Sequence, residues 1–156
     1  MGTDRLLATY LNDHLAGATV GLELARRATG SNRDNAYGRV LARIADEIEE
    51  DRAALESLIN DLGFGKDRVK VTLAWTGEKL GRLKLNGSVL SYSPLSRLEE
   101  LELLSLGIEG KLLMWRTLRE TLGAKSPVDL DELIKRARSQ RRRLEAQRLK
   151  AAAEAL

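Results

Sequence analysis

The chain of 156 residues contains no cysteine, which excludes disulfide bonds and thiolate metal sites. This absence also suits a reducing compartment. No apolar run approaches the roughly 18 residues that a helix needs to span a bilayer. The N-terminus lacks the basic segment and long apolar run of a secretion signal. We therefore expect a cytoplasmic protein that does not enter a membrane.

Proline occurs twice, and aromatic residues make up only 4% of the sequence. Leu, Ala, Glu and Arg dominate instead, and this composition favours helix. We predict no strand, so no glycine-rich phosphate loop follows one, and no Ser, His and acid arrangement has a catalytic spacing. Length and composition predict one all-α domain over residues 1–156, and the missing motifs predict no enzymatic activity.

Apolar residues recur at alternating steps of three and four, which predicts helices. Four long helices are expected over about 4–29, 34–62, 94–122 and 128–154, with a lesser helix over about 67–84. Gly63 and Gly123 end the second and third long helices, and Ser-Pro pairs at 93–94 and 126–127 begin the third and fourth. Polar residues also fall on the core-facing stripes, among them His14 on the first long helix, Asp51 on the second, and Gln140 and Gln147 on the fourth.

The connections predict how the helices run. Short turns join the first long helix to the second and the third to the fourth, so each pair is antiparallel. About thirty residues separate the second and third long helices, enough to carry the chain back along the bundle. These two helices are therefore expected to run parallel.

Two stretches carry a family resemblance, "EIEEDRAALESLI" in the second long helix and "SPLSRLEELELLSLGIEGKLLMWRTLRE" in the third. With the predicted topology, the chain resembles the ferritin-like superfamily, in a bacterial branch that lacks the di-iron ligand set. The resemblance implies a four-helix bundle with one long crossover and a homodimer. Di-iron members use a Glu from each of two helices and a Glu-x-x-His from each of the other two.

The corresponding positions lack histidine, because Glu50 is followed three residues later by Ala53 and Glu145 by Arg148. The only histidine of the chain is His14, on the first helix. We expect no metal and no cofactor. The alternative is an iron-handling protein, with one metal held by His14, Asp51 or Glu47, and Glu109.

A central polar network is expected in place of the metal. If the first pair turns near residue 32, His14 lies level with Asp51, which predicts a hydrogen bond or ion pair between them. If the second pair turns near residue 125, Glu109 lies level with Arg142. The predicted network comprises His14, Glu47, Asp51, Glu102, Glu109, Arg138, Arg141 and Arg142.

Glycines interrupt two helices, Gly17 and Gly21 in the first and Gly107 and Gly110 in the third. Glycine inside a helix costs about 1 kcal/mol relative to alanine, so a compensating reason is expected. Close approach of the two helices is our prediction, and a local bend at a functional centre is the alternative.

The segment from Lys135 to Lys150 holds eight basic residues and one acid, Glu145. A candidate basic surface comprises Lys135, Arg136, Arg143, Arg148 and Lys150. It is either a solvated or ion-paired face or a surface for nucleic acid, a membrane surface or an acidic protein. We expect no membrane partner and do not favour nucleic acid, because no aromatic residue interrupts the run.

Trp75 in the lesser helix is either core or an exposed anchor for a homodimer or another protein, since tryptophan is enriched at such interfaces. Together these features predict a non-enzymatic bundle, an interaction or stress-associated protein. The alternatives are an iron-handling protein and a nucleic-acid-binding protein that uses the Arg-rich fourth helix.

Overall fold

The computed structural model describes residues 2–65 and 91–156. Within these ranges the chain forms four long helices and no strand: α1 (Gly2–Ser31), α2 (Ala36–Asp61), α3 (Pro94–Leu122) and α4 (Leu130–Ala155). A 3-10 turn, Gly123–Lys125, follows α3. The prediction of an all-α chain with four long helices is confirmed for these residues. The predicted lesser helix over about 67–84 lies outside them.

Each helix packs on two others: α1 on α2 and α3, and α4 on α2 and α3. The end of α1 meets the start of α3, where Arg27 contacts Glu100 at 2.9 Å. Helices α2 and α4 are antiparallel, because Asp51 contacts Arg136 whereas Glu47, earlier in α2, contacts Arg143, later in α4. All neighbours are therefore antiparallel, and the long connection joins the diagonal helices α2 and α3. None of the described helices is long and apolar enough to cross a bilayer.

The apolar core divides into two clusters along the bundle. One cluster lies towards the α1–α2 turn and includes Leu41, Leu101 and Leu144. The other lies towards the α3–α4 turn and includes Trp115 and Leu133. The level between the two clusters is occupied by the polar side chains described below.

Capping decides where α3 and α4 begin. At α3, the Ser93 hydroxyl accepts from the backbone N–H of Ser96 at 3.1 Å and Pro94 is the first helical residue, as predicted. At α4 the predicted Ser-Pro start is wrong. The Asp129 carboxylate caps this helix by accepting from the N–H of Glu132 at 3.0 Å. The Ser126 hydroxyl instead donates to the Val128 carbonyl at 2.9 Å, so the helix begins three residues after Pro127.

The α1–α2 turn depends on the buried side chain of Asn32. Its amide donates to the Ala28 carbonyl at 2.8 Å and to the Tyr92 hydroxyl at 2.7 Å, and its oxygen accepts from Arg97 at 2.7 Å. The Arg97 guanidinium also lies 4.5 Å from the centre of the Tyr37 ring. One amide thus connects the end of α1 to the start of α3.

Gly38 allows this turn to close. A Cβ atom at Gly38 would lie 2.3 Å from the backbone oxygen of Asn32, and backbone cannot move aside cheaply. At Gly30, by contrast, a Cβ atom would meet none of the described atoms within 4 Å. The two helical glycines flank the same turn but have opposite steric surroundings.

We expect Gly38→Ala to lower the free energy of unfolding by about 1–3 kcal/mol through overpacking. Gly30→Ala should raise it by roughly 0.5–1 kcal/mol, because alanine is the better helix former. Urea unfolding of both variants measures this. A Gly38→Ala protein as stable as the wild type would show that the turn has room for a side chain.

Candidate functional site

A buried carboxylate lies at the centre of the bundle. Asp51 of α2 is 1% exposed. One of its oxygens accepts from Arg136 of α4 at 2.6 Å, and the other accepts from Gln140 of α4 at 3.1 Å and from Lys111 of α3. Lys111 also donates to the Gln140 side-chain oxygen at 2.5 Å. We call Asp51, Lys111, Arg136 and Gln140 the central polar set.

The set unites three helices because a buried charge needs both a countercharge and hydrogen bonds. Gln140 is fully buried, and the Lys111 side chain is 12% exposed. Burial lowers the pKa of Lys111, and the neighbouring Asp51 carboxylate opposes that shift. Arg136 leaves the interior on its far side, where it pairs with the exposed Glu50 at 2.7 Å.

A cavity of about 340 Å³ adjoins this set between α1, α2 and α3. Asp51 and Lys111 form part of its wall. Apolar side chains form most of the remainder, among them Leu24, Leu55, Ile108, Met114 and Trp115. The cavity therefore has an apolar body with one charged wall.

All four glycines of the two small-residue patches line this cavity: Gly17 and Gly21 from α1, Gly107 and Gly110 from α3. A Cβ atom at any of them would meet no atom of residues 2–65 and 91–156 within 4 Å. Our prediction of close helix approach at these glycines is wrong, because the helices leave open space there. The glycines widen an opening between α1 and α3.

His14 lines the same cavity, but the predicted pair with Asp51 is not formed. Its ring packs edge to face on Tyr10, with 4.6 Å between centroids. The reason is register: Arg52 of α2 contacts Thr19 of α1 at 3.0 Å, so Asp51 lies level with a part of α1 well past His14. Burial lowers the pKa of His14, opposed by the charge of Asp13.

The other members of the predicted network lie apart from Asp51. Glu47 pairs with Arg143 across the α2–α4 contact. In the second helical pair the predicted register holds to within one residue: Glu109, expected level with Arg142, contacts Arg141 at 2.8 Å, and Glu102 contacts Arg148 at 3.5 Å. These pairs line an outer groove between α3 and α4, which contains the remaining members Arg138 and Arg142. The predicted single network is thus one central set plus a surface groove.

The candidate basic surface is likewise divided among several faces. Arg136 and Arg143 were expected to face outward, but they are one-quarter to one-third exposed and bind carboxylates of α2. Arg148 binds Glu145 at 2.7 Å, Lys150 lies 4.9 Å from the Tyr37 ring centre, and Lys135 is exposed. The expectation fails for the two arginines because α2 supplies acids along the face that α4 covers.

Sequence reasoning missed all three partners of Asp51. It assigned Arg136 to the candidate basic surface and named neither Lys111 nor Gln140 as a site residue. Gln140 carried a usable signal, since it is a polar residue on a predicted core stripe, as Asp51 is. Lys111 carried little signal, because it lies beside the predicted core stripe of the third long helix rather than on it. Trp75, the predicted interface anchor, lies outside the described residues.

Within residues 2–65 and 91–156, no three His, Asp or Glu side chains come together as metal ligands. The alternative ligand set is separated, because Glu109 lies in the outer groove and Asp51 binds Lys111. Comparison of the chain with protein-family models, curated proteins and solved structures gives no match. The ferritin-like resemblance therefore stays a prediction.

We expect Asp51→Ala to cost about 3–5 kcal/mol of unfolding free energy, because it leaves Lys111 and Arg136 without their buried countercharge. Glu50→Ala is the matched control: its side chain is 65% exposed and also contacts Arg136, so its loss should cost roughly 0–1 kcal/mol. Chemical denaturation measures both. Equal losses of unfolding free energy in the two variants would show that the buried carboxylate is no more important for stability than the exposed one.

A pH titration tests the environment of His14. Because its folded pKa lies below the ordinary 6.5, the unfolded chain takes up the proton first as the pH falls. Its contribution to stability is therefore present above pH 6.5 and is lost as the pH falls from there to the folded pKa. NMR of the only imidazole should give a pKa below 6.5, and His14→Gln should remove this part of the pH dependence. A pKa at or above 6.5 would contradict the burial.

Proposed function

We propose that this protein is a non-enzymatic, ferritin-like bundle that binds a small, mostly apolar molecule in the cavity between α1, α2 and α3. The resemblance implies a central metal site in the di-iron members, and we propose that the central polar set takes its place in this chain. Binding of a small molecule, rather than contact with a macromolecule, suits an opening that reaches into the interior.

The four glycines are the observation that carries this proposal. Each lies inside a helix, where glycine costs about 1 kcal/mol relative to alanine. Each would accept a Cβ atom without contact to the part of the chain that the structure describes, so packing among those residues does not require any of them. Their shared feature is the cavity that they line, and side chains at these positions would narrow it.

The dimensions and chemistry of the cavity agree with this role. About 340 Å³ lies within the range of ligand pockets, which are mostly apolar with a few placed polar groups. Here the buried polar groups are those of the Asp51–Lys111 wall, whereas Asp13, His14 and Arg52 of the lining are exposed or partly buried. The hydrogen bonds from α4 hold that wall in place before a ligand arrives, which lowers the entropy lost on binding.

The contacts of Asp51 favour binding of an organic molecule over binding of a metal ion. Both oxygens of Asp51 already accept hydrogen bonds, and two cations lie against them. A metal ion at this carboxylate would have to displace Lys111 or Arg136. The iron-handling alternative therefore has less support than binding of an apolar molecule.

The test is binding of the neutral fluorophore N-phenylnaphthylamine to the full chain, followed by its increase in emission. We expect saturable binding that shifts the NMR signals of His14. Gly110→Leu and Gly21→Leu should reduce the affinity at least about tenfold, because a leucine side chain would occupy the cavity.

Gly30→Leu is the matched control, since Gly30 is also a helical glycine with open space but lies outside the cavity. It should bind the fluorophore as the wild type does. Absence of saturable binding, or equal loss in the control, would refute the proposal. Circular dichroism establishes that each variant remains helical.

A further inference from the structure

The cavity wall has more hydrogen-bond donors than acceptors. An ammonium group has three N–H donors, and those of Lys111 have two described acceptors, Asp51 and Gln140. Trp115, fully buried, also lines the cavity, and its indole N–H has no acceptor among the described residues. Buried donors are normally satisfied, and an acceptor from a bound molecule beside Lys111 would give its ammonium a third partner.

The acceptors of the wall are already occupied. One Asp51 oxygen accepts from Arg136, the other accepts from Lys111 and Gln140, and the Gln140 oxygen accepts from Lys111. A ligand that brings donors would compete with these bonds. A ligand that brings acceptor oxygens would add to them.

The charges around the cavity also favour a ligand that brings acceptor oxygens. The buried carboxylate of Asp51 faces two cations, Lys111 and Arg136. The second acid at Arg136 is Glu50, whose side chain is 65% exposed and therefore screened by water. Arg52, also in the cavity lining, is paired with Glu56 at 4.0 Å and is neutralised there, and the lining acid Asp13 is exposed. The interior is thus short of negative charge.

We propose that the ligand is an amphiphile with one carboxylate: its hydrocarbon part fills the cavity and its head accepts from Lys111. A single negative charge matches the imbalance of the central set. This inference rests on the proposed function, because it names the ligand class of the same cavity.

The test compares three probes with the same alkyl chain, decanoate, decanol and decylamine, in competition with N-phenylnaphthylamine near neutral pH. Decanoate should bind at least about tenfold more tightly than decylamine, because charged hydrogen bonds favour one head and charge repulsion opposes the other. Decanol should lie between them. Decylamine binding as tightly as decanoate would overturn the inference.

Lys111→Met removes the proposed anchor while Asp51 keeps Arg136 and Gln140. It should weaken decanoate binding about tenfold or more but change decanol binding less than about threefold. Lys135→Met, on an exposed lysine of α4, is the control and should change neither. Unchanged decanoate affinity in Lys111→Met would also refute the anchor.

The two proposals fail in different ways. If the neutral fluorophore does not bind, or binds without regard to the glycines, the cavity is not a ligand site. If the fluorophore binds in the cavity but the three probes do not rank by head group, only the carboxylate inference is lost. The ranking on the wild-type chain decides this even if Lys111→Met does not fold.

Discussion

The buried charge of Asp51 constrains the arrangement of three of the four helices. A carboxylate at 1% exposure is tolerated only when cations and donors reach it. Lys111 must come from α3, and Arg136 and Gln140 from α4. Sliding any of these helices along the bundle would break a contact, so this single charge fixes their register. Asp51 also lies where the two apolar clusters meet. Leucine packing alone would not fix the register of the helices at this level.

The cavity follows from the same contact. Helices α2 and α3 are diagonal neighbours without direct packing, and the long side chain of Lys111 crosses the space between them. It reaches Asp51 on the side facing α4, which leaves the side facing α1 open. Small residues on α1 and α3 extend that opening to the surface. The polar set and the cavity therefore lie on opposite sides of the Lys111 side chain. Hydrogen bonds close the side that faces α4, and the side that faces α1 is open.

Local signals in the sequence predicted the local structure well. The Ser93–Pro94 cap and the end of α3 at Leu122 were predicted from the sequence. The short α3–α4 connection placed Glu109 within one residue of its observed level on α4. The α1–α2 register was predicted wrongly, because α1 extends to Ser31 and α2 begins only at Ala36, which moves the turn past residue 32. The Asn32 hydrogen bonds to Tyr92 and Arg97 could not be predicted, because their partners come from a distant part of the chain. The partners of Asp51 were missed for the same reason: they lie on helices α3 and α4, not on α1.

The glycines show a further limit of sequence reasoning. A helix-interior glycine is equally consistent with a backbone that approaches closely and with a void, since both require a missing side chain. Only the position of the opposing surface distinguishes them, as the contrast between Gly38 and Gly110 demonstrates. The open space between α1 and α3 also connects ligand binding to the stability of the folded chain. A ligand that binds only the folded chain stabilises it in proportion to the logarithm of its concentration. Occupation of the cavity would therefore offset part of the stability that glycine removes from α1 and α3.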